Sequence, residues 1–155
     1  MTDTADSGIQ EDRPRRTAVH LARLALVAFL FTFIAARGLV FLIMIRTVPD
    51  LFIYVGGTHV HHLNFGIFLL AVVGGWTLLR QPLGRERSLV AVLYGIGLAL
   101  TFDEFGMWLH LGGGYWQRAS FDAVVTIAAG LGLIAFAPSL KRFRPHHWAT
   151  AVLMA

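Results

Sequence analysis

The chain has 155 residues, 56% of them hydrophobic and only 14% charged, whereas an ordinary soluble domain is about a quarter charged. That balance excludes a water-soluble globule and implies a membrane protein, and the absence of cysteine excludes disulfides, thiolate metal sites and cysteine nucleophiles. The formal net charge of +4 does not point to nucleic acid, because the 13 Lys and Arg residues gather beside apolar segments, where they set topology and meet anionic lipid.

Residues Met1 to Asp12 are polar and acidic without apolar periodicity. With Arg13, Arg15 and Arg16 they read as a disordered cytoplasmic tail over 1–17. The first apolar segment runs from Leu24 to Ile45, interrupted by Arg37 and Gly38, and has about the 20 residues that a bilayer core requires of a helix. A cleaved signal peptide is the rival reading, since Arg15-Arg16 precede an apolar run that reaches Ala35-Ala36. The run resumes at Leu39, which favours a span.

The apolar stretch Val48 to Val55 is too short to cross and is expected at the membrane interface. Leu63 to Leu79 forms the second predicted helix, followed by the turn Pro82-Leu83-Gly84 among Arg80, Arg85 and Arg87. The third, Leu89 to Leu111, carries Asp103, Glu104 and His110 inside its apolar pattern. Gly112-Gly113-Gly114 ends it, and Ser120 is the expected N-cap of a fourth helix from Phe121 to Ala137. Residues 139–155 read as a cytoplasmic C-terminal tail.

The predicted fold is all-α, an integral membrane four-helix bundle over 18–138. With four spans, the N-terminal arginines, the Arg80 to Arg87 turn and the Lys141-Arg142-Phe143-Arg144 flank fall on one side, giving an N-in, C-in protein of the cell inner (plasma) membrane. Trp76, Trp108, Tyr115, Trp116 and Trp148 are read as interfacial belt residues.

This orientation brings His59, His61, His62, His110 and Asp122 to the outer mouth. Asp103, Glu104 and Arg37 lie about eight residues, roughly 12 Å, below it. A charge in the hydrocarbon costs several kcal/mol unless paired, so an intramembrane ion pair of Arg37 with Glu104, or with Asp103, is expected. Helical spacing places Gly95, Ala99, Asp103, Gly106 and His110 on one stripe, with Glu104 about 100° round from it. The same count puts His59 and His62 on one face of the second helix, with His61 directed elsewhere.

The candidate metal ligands are therefore His59, His62, Asp103, His110 and Asp122, with His61 and Arg118 as accessory groups. Imidazole and carboxylate together suit zinc, iron or manganese, and the candidate cofactor is such a divalent metal. Each residue also has a structural reading. The histidines would cap a helix start, Asp103 and Glu104 would pin helices through Arg37, Asp122 would serve the macrodipole of the fourth helix, and Arg118 would hold Asp122 or a lipid phosphate.

The segments H-V-H-H-L-N-F-G, D-E-F-G-M-W-L-H-L and Y-W-Q-R-A-S-F-D-A-V together resemble a pattern of small, uncharacterised bacterial multi-span integral membrane proteins. The resemblance covers Gly57 to Val124, implies a multi-span fold and brings no activity with it. The functional expectation is a polar site at the extracytoplasmic side that binds a metal ion or handles protons. The alternative is a structural or partner-binding membrane protein whose polar residues only hold the helices together, and a channel or transporter subunit ranks last. Expected partners are membrane lipids and a further copy or another membrane protein, with no nucleic acid.

Overall fold

The computed structural model describes the backbone of residues 4–49, 53–110, 114 and 116–140, together with the side chains of these residues except at 4–16, 58–59 and 137–140. Apart from turns, the described residues are helical except for one small hairpin: α1 is Thr4–Met44, β1 Ile53–Val55, β2 Thr58–Val60, α2 His62–Arg80, α3 Arg85–Asp103, α4 Phe105–Leu109 and α5 Arg118–Leu140. The expected tail over 139–155 lies outside the described residues beyond Leu140.

Three of the helices are long and apolar enough to cross a membrane, over Thr17–Met44, His62–Arg80 and Arg118–Phe136. Their large apolar side chains point outward as well as inward, with Phe31 75% and Phe68 71% exposed, which water would oppose and hydrocarbon favours. The second predicted helix matches α2 within a residue at each end.

The hub of the packing is α3, which touches α1, α2 and α5. It buries Val90, Ala91, Gly95, Gly97, Leu98, Ala99 and Asp103, yet it falls short of a spanning helix by composition, because Arg85, Glu86 and Arg87 open it and Asp103 closes it. Small residues let its neighbours approach. A Cβ at Gly66 of α2 would come within 2.5 Å of Thr101 Oγ1 and 2.6 Å of Thr101 N, and a Cβ at Gly95 would run into the Ala25 backbone of α1. Phe29, Leu98, Ala99 and Val124 form the apolar centre where α1, α3 and α5 meet.

The path through the helices alternates in direction. Arg37 near the end of α1, His62 at the start of α2, Asp103 at the end of α3 and Ser120 at the start of α5 all come to one end, while Arg23 reaches the carbonyl of Ala135 at the other.

Four boundaries differ from the sequence reading. The polar stretch read as a tail over 1–17 is helical from Thr4, continuous with the apolar part of α1. The interface segment pairs with the histidine-rich stretch as a hairpin, Val55 facing Thr58 across Gly56-Gly57. The φ values of those glycines, 58° and 80°, suit the two-residue turn that twists like its strands.

The third predicted helix is broken at Glu104, and the cause is visible in the hydrogen bonds. The Gly106 N–H donates to Ser120 Oγ at 2.9 Å rather than back along the helix, so the ladder stops and restarts as α4. Ser120, for the same reason, is no N-cap: α5 starts at Arg118, and the Ser120 hydroxyl, 1% exposed, joins α5 to the α3–α4 junction.

Candidate functional site

The site grows from the start of α2. His61 occupies the N-cap position with extended backbone, φ −69° and ψ 145°, but its side chain caps nothing, so the first N–H groups of α2 need acceptors from elsewhere. Glu104 supplies one: its Oε2 accepts the Leu63 N–H at 3.0 Å, a carboxylate lent by the α3–α4 junction to the positive end of α2. The other oxygen, Oε1, lies 3.0 Å from His61 Nδ1 and 3.5 Å from His62 Nδ1.

One residue earlier, Asp103 joins three helices. Its Oδ2 lies 2.8 Å from His62 Nε2 of α2, and its Oδ1 accepts from Arg37 Nε of α1. Arg37 Nη2 also donates to the Asp103 carbonyl at 2.5 Å, so the guanidinium grips side chain and backbone of the same residue.

Aromatic rings surround this guanidinium. Its Cζ stands 5.0 Å from the Phe121 ring centroid, 5.3 Å from Trp116 and 5.8 Å from Phe33. The rings also meet one another, Trp116 stacked on Phe121 at 6.2 Å and Phe33 edge-on to Phe121 at 6.4 Å. Their electron-rich faces replace some of the water a buried cation gives up.

Burial is graded. Asp103 and Glu104 are 1% and 2% exposed, while the His62 and His61 side chains are 24% and 36% exposed. The carboxylates are therefore sealed, and the imidazoles stand between them and the surroundings. No buried side-chain nitrogen or oxygen lacks a partner among the described residues.

The expected constellation is split. His62 and Asp103 come together, joined by Arg37, Glu104 and His61. His110 is elsewhere: it is exposed, and its Nδ1 lies 2.9 Å from the Gly106 carbonyl and 3.0 Å from Gln117 Oε1. Asp122 faces outward at 67% exposure, 3.5 Å from Arg118, which is 93% exposed. His59 is placed by its backbone, opposite Tyr54 in the hairpin, and its side chain lies outside the described set. Among the described residues no three His, Asp or Glu side chains are grouped so as to hold a metal ion.

Three assignments change for physical reasons. The ion pair of Arg37 is made with Asp103, because Glu104 is turned toward the start of α2. Glu104 is as buried as Asp103, although an unbroken helix would rotate it away; its φ of −102° and ψ of 12° leave the helical region. His61 is a direct partner of Glu104, since a residue at the N-cap does not follow the 100° step used to aim it elsewhere. The aromatic enclosure is not evident from the sequence, where Trp116 reads as a belt residue. A signal existed in part, because Phe33 precedes Arg37 by one helical turn.

Compared with protein-family models, with curated proteins and with solved structures, the chain gives no significant match.

Proposed function

We propose that the chain is a multi-pass integral membrane protein, N-in and C-in in the plasma membrane, whose polar network at the outer end of the helices holds a proton and exchanges it with the outer aqueous phase. The observation that carries this reading is the pairing of two partly exposed imidazoles with two sealed carboxylates, His61 on Glu104 and His62 on Asp103. Imidazole is the side chain suited to proton exchange near neutral pH.

Charge counting supports the same reading. Arg37 answers Asp103, and Glu104 leaves one further negative charge inside the bundle. A proton on either imidazole balances it. Glu104 Oε1 lies near both rings, so the proton has a short route between His61 and His62. Towards the other end the packed centre of Phe29, Leu98, Ala99 and Val124 is apolar, which favours exchange with one aqueous phase over passage through a single chain.

The metal-binding form of this reading draws less support. One nitrogen of each imidazole lies within hydrogen-bond distance of a carboxylate, and His110 and Asp122 stand apart from them. A purely structural role is favoured by a different observation, the complete pairing of the buried polar atoms.

Proton uptake per chain after a downward pH step, read with an indicator dye on protein in mild detergent, separates the two. The proton-holding reading expects wild type to bind one proton more than Glu104→Gln, with both proteins folded throughout. Equal uptake by folded wild type and Glu104→Gln would leave the network a structural clamp.

A further inference from the structure

At the end of the molecule opposite the polar network, a groove of about 880 Å³ opens between α1 and α2, with α3 as its floor. Its volume falls within the roughly 300–1,000 Å³ of small-molecule sites. Ala22, Leu70, Val73, Gly74 and Val90 make its walls apolar, and Gln81 and Arg87 stand at one end. From Leu70 to Gln81 it follows α2 for about 16 Å at 1.5 Å per residue, close to half of the roughly 30 Å hydrocarbon core. The groove thus has the depth of one leaflet.

Its polar end is basic. Arg80, Arg85 and Arg87 stand in the α2–α3 turn against one acid, Glu86. Arg87 is exposed and anchored by its Nε to the Pro82 carbonyl at 2.8 Å, which presents the end of the guanidinium at the groove mouth. A single-leaflet apolar slot with a fixed cation at its headgroup end matches one kind of occupant.

We propose that the groove binds one acyl chain of an anionic phospholipid, with the lipid phosphate on Arg87. A second copy of the chain is the weaker occupant, because in the same orientation it would bring its own Arg80 to Arg87 cluster to the same depth and like charges would face each other. The proposal shares with the functional reading only the membrane-spanning arrangement and does not depend on the proton site.

The test titrates detergent-purified protein with phosphatidylglycerol and, separately, with phosphatidylcholine, and counts bound lipid by native mass spectrometry. Wild type is expected to retain one phosphatidylglycerol in preference to phosphatidylcholine. Arg87→Gln weakens that retention about fivefold, the effect of one basic group near an anionic headgroup. Nothing stands within 4 Å of a Cβ at Gly74, so Gly74→Leu enters the groove without striking the backbone. It should abolish the preference at an unchanged melting temperature. Equal retention of the two lipids by wild type, or undiminished phosphatidylglycerol binding by folded Gly74→Leu, overturns the proposal, and so does a dimer that Gly74→Leu dissociates and added lipid does not. His62→Ala should leave lipid retention intact, which keeps failure here separate from failure of the proton reading.

Discussion

Two sets of ionisable residues lie toward the same end of this molecule and differ in nearly every physical respect. In one, Arg37, Asp103, Glu104, His61 and His62 tie α1, α2 and the α3–α4 junction together, with carboxylates 1% and 2% exposed. In the other, Arg118, Asp122 and His110 lie at the surface, and the acid and base of the pair are 67% and 93% exposed. An ion pair in high dielectric is worth about 0–1 kcal/mol, while a buried charge that loses its partner costs about 3–5 kcal/mol. Depth rather than residue type separates structure-bearing groups from surface decoration.

The largest effect expected from breaking this contrast is at Arg37. Arg37→Leu leaves the buried Asp103 without its guanidinium partner and should lower stability by about 3–5 kcal/mol, read as thermal unfolding in mild detergent. Arg118→Leu should stay within about 0.5 kcal/mol of wild type. Comparable losses for the two variants would mean that the inner pair is hydrated and that the distinction drawn from burial does not hold.

Glu104→Gln comes next, at about 1.5–3 kcal/mol, the range for hydrogen bonds to a charged group. The amide oxygen accepts the Leu63 N–H more weakly than a carboxylate at a helix N-terminus, so α2 keeps only a weakened cap, and the charge facing two imidazoles is gone. Amide hydrogen exchange localises the effect: Leu63 and the first turn of α2 should lose protection, and the middle of α5 should not. Uniform loss along the chain would sink the idea that Glu104 acts as a cap lent from another helix.

The aromatic enclosure of Arg37 gives a smaller test. Phe121→Leu keeps an apolar side chain beside the guanidinium and removes the nearest ring face, with an expected cost of about 1–2 kcal/mol, the upper range for a desolvated cation–π contact plus lost packing. In an Arg37→Leu background the same substitution should cost less, since the cation is already absent. An unchanged cost in that background would reduce the rings to ordinary packing.

The buried cluster was half legible in the sequence. Arg37 and the two acids stood out because charges inside apolar runs must pair, and the stripe of Gly95, Ala99, Asp103 and Gly106 was readable because small residues recur there at helical spacing. That stripe is buried in the structure as far as Gly106 and fails at His110. The failures share a cause. Glu104, His61 and His110 all lie at helix junctions or caps, where the 100° step that aims side chains no longer applies. Ser120 intercepts the Gly106 N–H from α5, across 14 residues of sequence, and local pattern contains no trace of so distant a bond. The Gly56-Gly57 hairpin, by contrast, carried a local signal in its paired glycines that the apolar length of Val48 to Val55 obscured.

The smallest expected effects are at His110 and Asp122, and they bear most directly on how the two clusters relate. If both belonged to a single centre with His62 and Asp103, Asp122→Asn and His110→Ala would each disturb it about as much as His62→Ala does. The distances argue otherwise: the Asp122 carboxylate lies 3.5 Å from Arg118 near the surface, and His110 bonds within its own short helix and to Gln117. Asp122→Asn should therefore change stability by no more than about 0.5 kcal/mol, and His110→Ala should release only its contact with Gln117. Neither should alter the proton uptake that the proton-holding proposal expects Glu104→Gln to lower. A loss of uptake in Asp122→Asn would join the two clusters into one working site and reopen the larger constellation. Unchanged uptake with unchanged stability would confine the chemistry to the residues that Arg37, Asp103 and Glu104 hold inside the helices.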